Sequence, residues 1–71
     1  MEYLVVIEQG SATFGAYVPD LPGCVAVAET RHEIVGLIKE AIEMHLDVIA
    51  REGRPVPEPH FTGEVVEVAR Q

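Results

Sequence analysis

Seventy-one residues carry five Lys+Arg against twelve Asp+Glu, a formal charge of −7 at neutral pH. A chain this short has room for one domain, taken as residues 1–71, and buries only about 60% of its unfolded surface, so a small core and association with a second chain are expected. The acidic balance repels nucleic-acid phosphates and favours a basic protein surface, which argues against direct DNA or RNA binding.

Cys24 is the single cysteine, which excludes an internal disulfide. With three scattered histidines it makes no zinc-type spacing, so neither a metal nor a cofactor is expected and a reducing cytoplasm fits best. The apolar run after Met1 begins with Glu2 and lacks a cleavage site. No stretch approaches the ~20 apolar residues of a membrane span, so no membrane association is expected.

In chain order, Tyr3 to Glu8 is rich in β-branched and aromatic residues and predicts a first strand. Gln9 to Ala12 is turn-like, and Thr13 to Val18 sets Phe14, Ala16 and Val18 against Thr13, Gly15 and Tyr17, the alternation of a half-buried hairpin partner. The run Tyr17-Val18-Pro19-Asp20-Leu21-Pro22-Gly23-Cys24 then makes a rigid corner. Its two prolines fix φ and remove backbone donors, while Gly23 is free to take positive φ. Such a corner is expected to present Asp20 and Leu21 outward. Cys24 to Glu29 predicts a third strand, small on one face at Cys24, Ala26 and Ala28, with Val25 and Val27 on the other.

Thr30-Arg31-His32-Glu33 reads as a capping box that opens a helix. At 100° per residue Ile34, Leu37, Ile38, Ala41, Ile42, His45, Leu46, Val48 and Ile49 share one broad face. Glu33, Gly36, Lys39, Glu40, Glu43, Asp47 and Arg51 lie opposite, and Gly53 is the natural stop. Arg54 to Pro59, with proline at every second position from Pro55, predicts a stiff polyproline-like connector. Phe61 to Ala69 predicts a last strand with Glu64 and Glu67 suited to a sheet edge.

The expected fold is therefore α+β: a two-layer βββαβ arrangement with a mostly antiparallel four-stranded sheet of order 3-2-1-4, covered on one face by one long helix. The helix should overhang the sheet, leaving Leu46 and Ile49 to be covered by Val56 and the connector or by a second chain. The uncovered sheet face with Val25 and Val27 is a second surface for burial between chains, and both favour a dimer or higher oligomer.

Catalytic readings are outweighed by structural ones. His45 reads as a packed histidine, Cys24 as a small core residue, and His32 and His60 as surface residues. The lone carboxylate of Asp20 fits turn stabilisation or partner contact better than a metal or a base. Common catalytic signatures are absent, with no phosphate loop, no HExxH and no GxSxG. A small enzyme built on Cys24, Asp20 and His45, or a degenerate nuclease with an RNase H-like order of strands, lacks the converging carboxylates that a metal nuclease needs.

The Pro19-to-Gly23 corner closely resembles the "PDLPG" corner of HicB-like antitoxins, small domains paired with HicA-like toxins that cut messenger RNA. The resemblance extends through Tyr3 to Glu8, Phe14 to Tyr17, Thr30 with Glu33, Glu40-Ala41-Ile42, and Gly53 with Pro55, Pro57 and Pro59. It implies a non-enzymatic antitoxin domain that neutralises a basic HicA-like toxin by occlusion, without the DNA-binding domain that many members carry. On that reading the partner-binding residues are Asp20, Leu21, Pro22, Glu40, Glu43 and Asp47. The competing reading is a stand-alone oligomeric regulatory or structural module that binds another protein and has no toxin.

Overall fold

The computed structural model describes residues 1–70. Three strands, β1 (Val6–Gln9), β2 (Phe14–Tyr17) and β3 (Val25–Ala28), precede one helix, α1 (Arg31–Arg51). The sheet order is β1-β2-β3, each neighbouring pair antiparallel. Among the described residues the expected fourth strand is absent: Phe61 to Ala69 joins no sheet, and the four-stranded 3-2-1-4 arrangement gives way to a three-stranded meander under one helix.

Register explains which face is which. Ile7, Ala16 and Ala26 are aligned across the sheet, as are Gln9, Phe14 and Ala28. Ala16 and Ala28 from these rows are buried in the core. The neighbouring rows, Val6-Tyr17-Val25 and Glu8-Gly15-Val27, point to the other face, where Val25 and Val27 are exposed. Because side chains alternate along a strand, the hairpin and the small-residue face of β3 follow the predicted pattern.

The corner between β2 and β3 is two successive turns. Leu21 N–H donates to the Val18 carbonyl at 3.0 Å, and Cys24 N–H donates to the Leu21 carbonyl at 3.0 Å. The second turn has proline at its second position and Gly23 at its third with φ +87°, the residue pattern of a type II turn. This double turn swings Leu21 inward. The side chain expected to project is fully buried at 0% exposure, and it sits in one cluster with Val18, Cys24, Ile34 and Ile38. Pro22 is exposed.

Helix α1 begins where its cap predicts. The Thr30 hydroxyl oxygen accepts from Glu33 N–H at 3.1 Å and the hydroxyl donates to the Glu33 carboxylate at 2.9 Å, so the two side chains bond to each other rather than reciprocally to backbone. An N-cap of this kind is worth about 1 kcal/mol. Gly53 takes φ +72° past the helix end. Ile34, Ile38 and Ile49 are buried, so the C-terminal turn finds cover for Ile49 within this chain alone. Leu37 and Val48, expected on the buried face, are instead 43% and 48% exposed.

Beyond the helix the connector crosses the corner instead of following β1. Pro55, Pro57 and Pro59 have no N–H to give to a sheet. The Tyr3 hydroxyl donates to the Pro57 carbonyl at 2.6 Å, and the Asp20 carboxylate accepts from His60 and Phe61 N–H at 3.0 and 3.1 Å. The N–H groups of His60 and Phe61 are thereby taken at the point where a fourth strand would have started.

Tyr3 also gives the fold an alkaline limit. Burial pushes its phenol above the ordinary value near 10, and the carboxylates of Asp20 and Glu58 push the same way. The folded state thus holds the phenolic proton more tightly than the unfolded chain. Its stabilisation is complete below pH ~10 and is lost as pH rises through the elevated folded value. Tyr3→Phe is expected to cost about 1 kcal/mol at neutral pH through the missing hydrogen bond, and to flatten the stability decline above pH ~10. Urea midpoints measured from pH 7 to 11 check this, and parallel curves for parent and variant would refute it.

Candidate functional site

The residues proposed from sequence divide into two places. Glu40, Glu43 and Asp47 lie on the exposed side of α1, and the corner residues Asp20, Leu21 and Pro22 lie between β2 and β3. Each place has its own chemistry.

On α1 the acidic residues form a continuous stripe with Glu33, since spacings of three, four and seven residues return to one side of a helix. Asp47 is the one paired member, bridged to Arg51 at 2.8 Å with both side chains largely in solvent. Such an exposed pair contributes little stability and leaves the stripe strongly negative. Beside it runs an apolar shelf that the sequence reading missed: Leu37, Met44 and Val48 are exposed at 43%, 68% and 48%. At 100° per residue these three fall within about 40° of one another, between the buried face and the acidic stripe. Their place at the edge of the apolar arc was the available signal, because residues at that edge are the ones a narrow sheet fails to cover. Apolar area rimmed by charges of one sign is the ordinary composition of a protein-docking surface.

At the corner the geometry is different. The Asp20 side chain is only 5% exposed, and its carboxylate accepts three contacts from two backbone N–H groups: His60 to Oδ1 and Oδ2, each at 3.0 Å, and Phe61 to Oδ2 at 3.1 Å. The His60 ring lies alongside, with Nδ1 at 3.5 Å from Oδ1. The residue expected to face a partner is an internal clamp on the C-terminal segment, and Leu21 beside it is core. Of the three corner residues only Pro22 is exposed.

The groups considered for catalysis do not converge. Cys24 is buried at 3% exposure, and burial pushes its thiol upward, away from the thiolate that a nucleophile requires. Among the described residues no hydrogen bond or ion pair links Cys24, Asp20 and His45, and no cluster of three or more His, Cys, Asp or Glu side chains is arranged to hold a metal ion. Among the described residues no helix is long and apolar enough to cross a membrane.

A UPF0150 protein of Archaeoglobus fulgidus is 37% identical over 70 residues, spanning 96% of each chain. No solved structure matches the chain. The family described as HicB_like antitoxin of bacterial toxin-antitoxin system matches residues 3–69, which takes in the hairpin, the corner, the helix and nearly all of the tail. This chain belongs to the HicB-like antitoxin family.

Proposed function

We propose that this protein is the antitoxin subunit of a type II toxin–antitoxin pair and that it neutralises a basic, mRNA-cleaving HicA-like toxin by covering its surface, with no catalysis of its own. The observation that carries this reading is the exposed face of α1, where Leu37, Met44 and Val48 lie beside Glu33, Glu40, Glu43 and Asp47. A toxin that grips RNA must itself present cations, and an acidic stripe competes for those cations while the apolar shelf supplies desolvated contact. Glu40, Glu43, Asp47 and the exposed Pro22 are the proposed contact residues. Asp20 and Leu21 act on that surface indirectly, by holding the corner in shape.

The test is titration of the toxin encoded beside this chain, sought as a short, strongly basic protein. Replacing Glu40, Glu43 and Asp47 together by lysine is expected to weaken binding at least ten-fold at low ionic strength. The gap should narrow as salt shortens the Debye length to about 8 Å at 0.15 M. Since all three side chains are exposed, the variant should keep the parent's thermal midpoint within a few degrees. Equal affinity for parent and variant at low salt would remove the helix face from the interface.

A further inference from the structure

The C-terminal segment has no surface of its own to lie on. After Gly63 passes Leu4, where an added Cβ would come within 3.1 Å of a Leu4 methyl, Glu64 to Arg70 are all exposed, with Val65, Val66 and Val68 at 98%, 70% and 71%. Three valines, two glutamates and an alanine make Glu64 to Ala69 poor material for a solvated tail and good material for a strand.

Two global measures show how much surface is left over. The radius of gyration is 14.3 Å, where a folded chain of this length has about 11 Å. The accessible surface is 5784 Å², about 1,400 Å² above the ~4,400 Å² expected for a monomer of this mass. A standard interface buries about 800 Å² on each partner, so the surplus is enough for one.

The same chain carries a matching acceptor. β3 is a sheet edge whose outward residues Val25 and Val27 are 63% and 68% exposed, next to Tyr17 at 42%. The tail does not reach that edge in its own chain, because the clamp at Asp20 and the passage over Leu4 deliver it elsewhere. Of the two free edges, β1 and β3, only β3 carries two exposed valines, so an apolar donor segment and an apolar acceptor edge are both present and unmet in every copy.

We infer that Gly63 to Arg70 of one copy pairs along the free edge of β3 of a second copy, with the tail valines laid beside Tyr17, Val25 and Val27, and that the exchange is reciprocal about a two-fold axis. Reciprocity closes the assembly at two chains, as an isologous contact does, and covers the β3 edge of each copy. The face of α1 carrying Glu40, Glu43 and Asp47 is on the other layer and takes no part.

Sedimentation equilibrium on the full chain tests the exchange with two double variants, Val66→Ser/Val68→Ser in the tail and Val25→Ser/Val27→Ser on β3. Serine is chosen so that no charge is added to an acidic chain, and far-UV circular dichroism checks that each variant keeps the parent's helix. The parent is expected to be a dimer at tens of micromolar, and each double variant to raise the dimer dissociation constant at least ten-fold. Mixing the two variants should recover association, because an intact tail from one then meets an intact β3 from the other. A monomeric parent, variants that dimerise as the parent does, or a mixture no tighter than its components would each overturn the proposal.

Discussion

Leu21→Ala will lower the stability of the fold by about 2–5 kcal/mol, the range for emptying a fully buried leucine site. Leu21 is the apolar plug of the corner, closed over by Val18, Cys24, Ile34 and Ile38, and with 0% exposure it has no solvent-facing side from which water can relieve the cavity. A domain of 71 residues is held by roughly 4–11 kcal/mol in all, so this one truncation removes a large share of the margin. Urea unfolding followed by far-UV circular dichroism measures it. A loss below about 1 kcal/mol would mean that the corner collapses onto the gap, as a site packed only from one side does.

Asp20→Ala comes second, with an expected loss of about 1.5–3 kcal/mol, because hydrogen bonds to a charged acceptor are worth more than neutral ones. Two backbone donors, His60 N–H and Phe61 N–H, lose their acceptor at once. The specific readout is hydrogen exchange at those two amides, which should quicken in the variant while the amides of α1 keep their protection. Unchanged exchange at both would show that the carboxylate does not hold the segment. Asp20→Lys is expected to damage the fold as well, since it sets an ammonium group against the same donors. The tolerance of charge change expected at an exposed turn does not apply to a side chain only 5% exposed.

Much of the fold was legible because its signals are local. The alternation from Thr13 to Val18, the small residues at Cys24, Ala26 and Ala28, the Thr30 cap and the Gly53 stop each depend on a few neighbouring residues, and each element formed where those residues placed it. The misreadings share a different cause. Asp20 and Leu21 sit in a turn, where periodicity assigns no inside or outside. Which one enters the core is decided by the direction of a double turn and by a backbone segment 40 residues further on. Phe61 to Ala69 has the composition of a strand, but composition does not say which edge will receive it. Leu37 and Val48 failed as core residues because they lie at the edge of the apolar arc, where a three-stranded sheet is too narrow to cover them, while Ile34, Ile38 and Ile49 nearer its centre are buried. The acidic stripe was legible from helical spacing, and the apolar shelf beside it emerged only once the width of the sheet was known.

The clamp also bears on the order in which the chain folds. The meander and the helix that packs on it are sequential neighbours, so their contacts close short loops at small entropic cost. The bond from Asp20 to His60 closes a loop of 40 residues and has value only after the corner beneath it is in place. It is therefore expected to form on the native side of the rate-limiting barrier. Weakening it should then shorten how long a folded molecule survives before opening, while the speed of reaching that state stays with the hairpin and the helix.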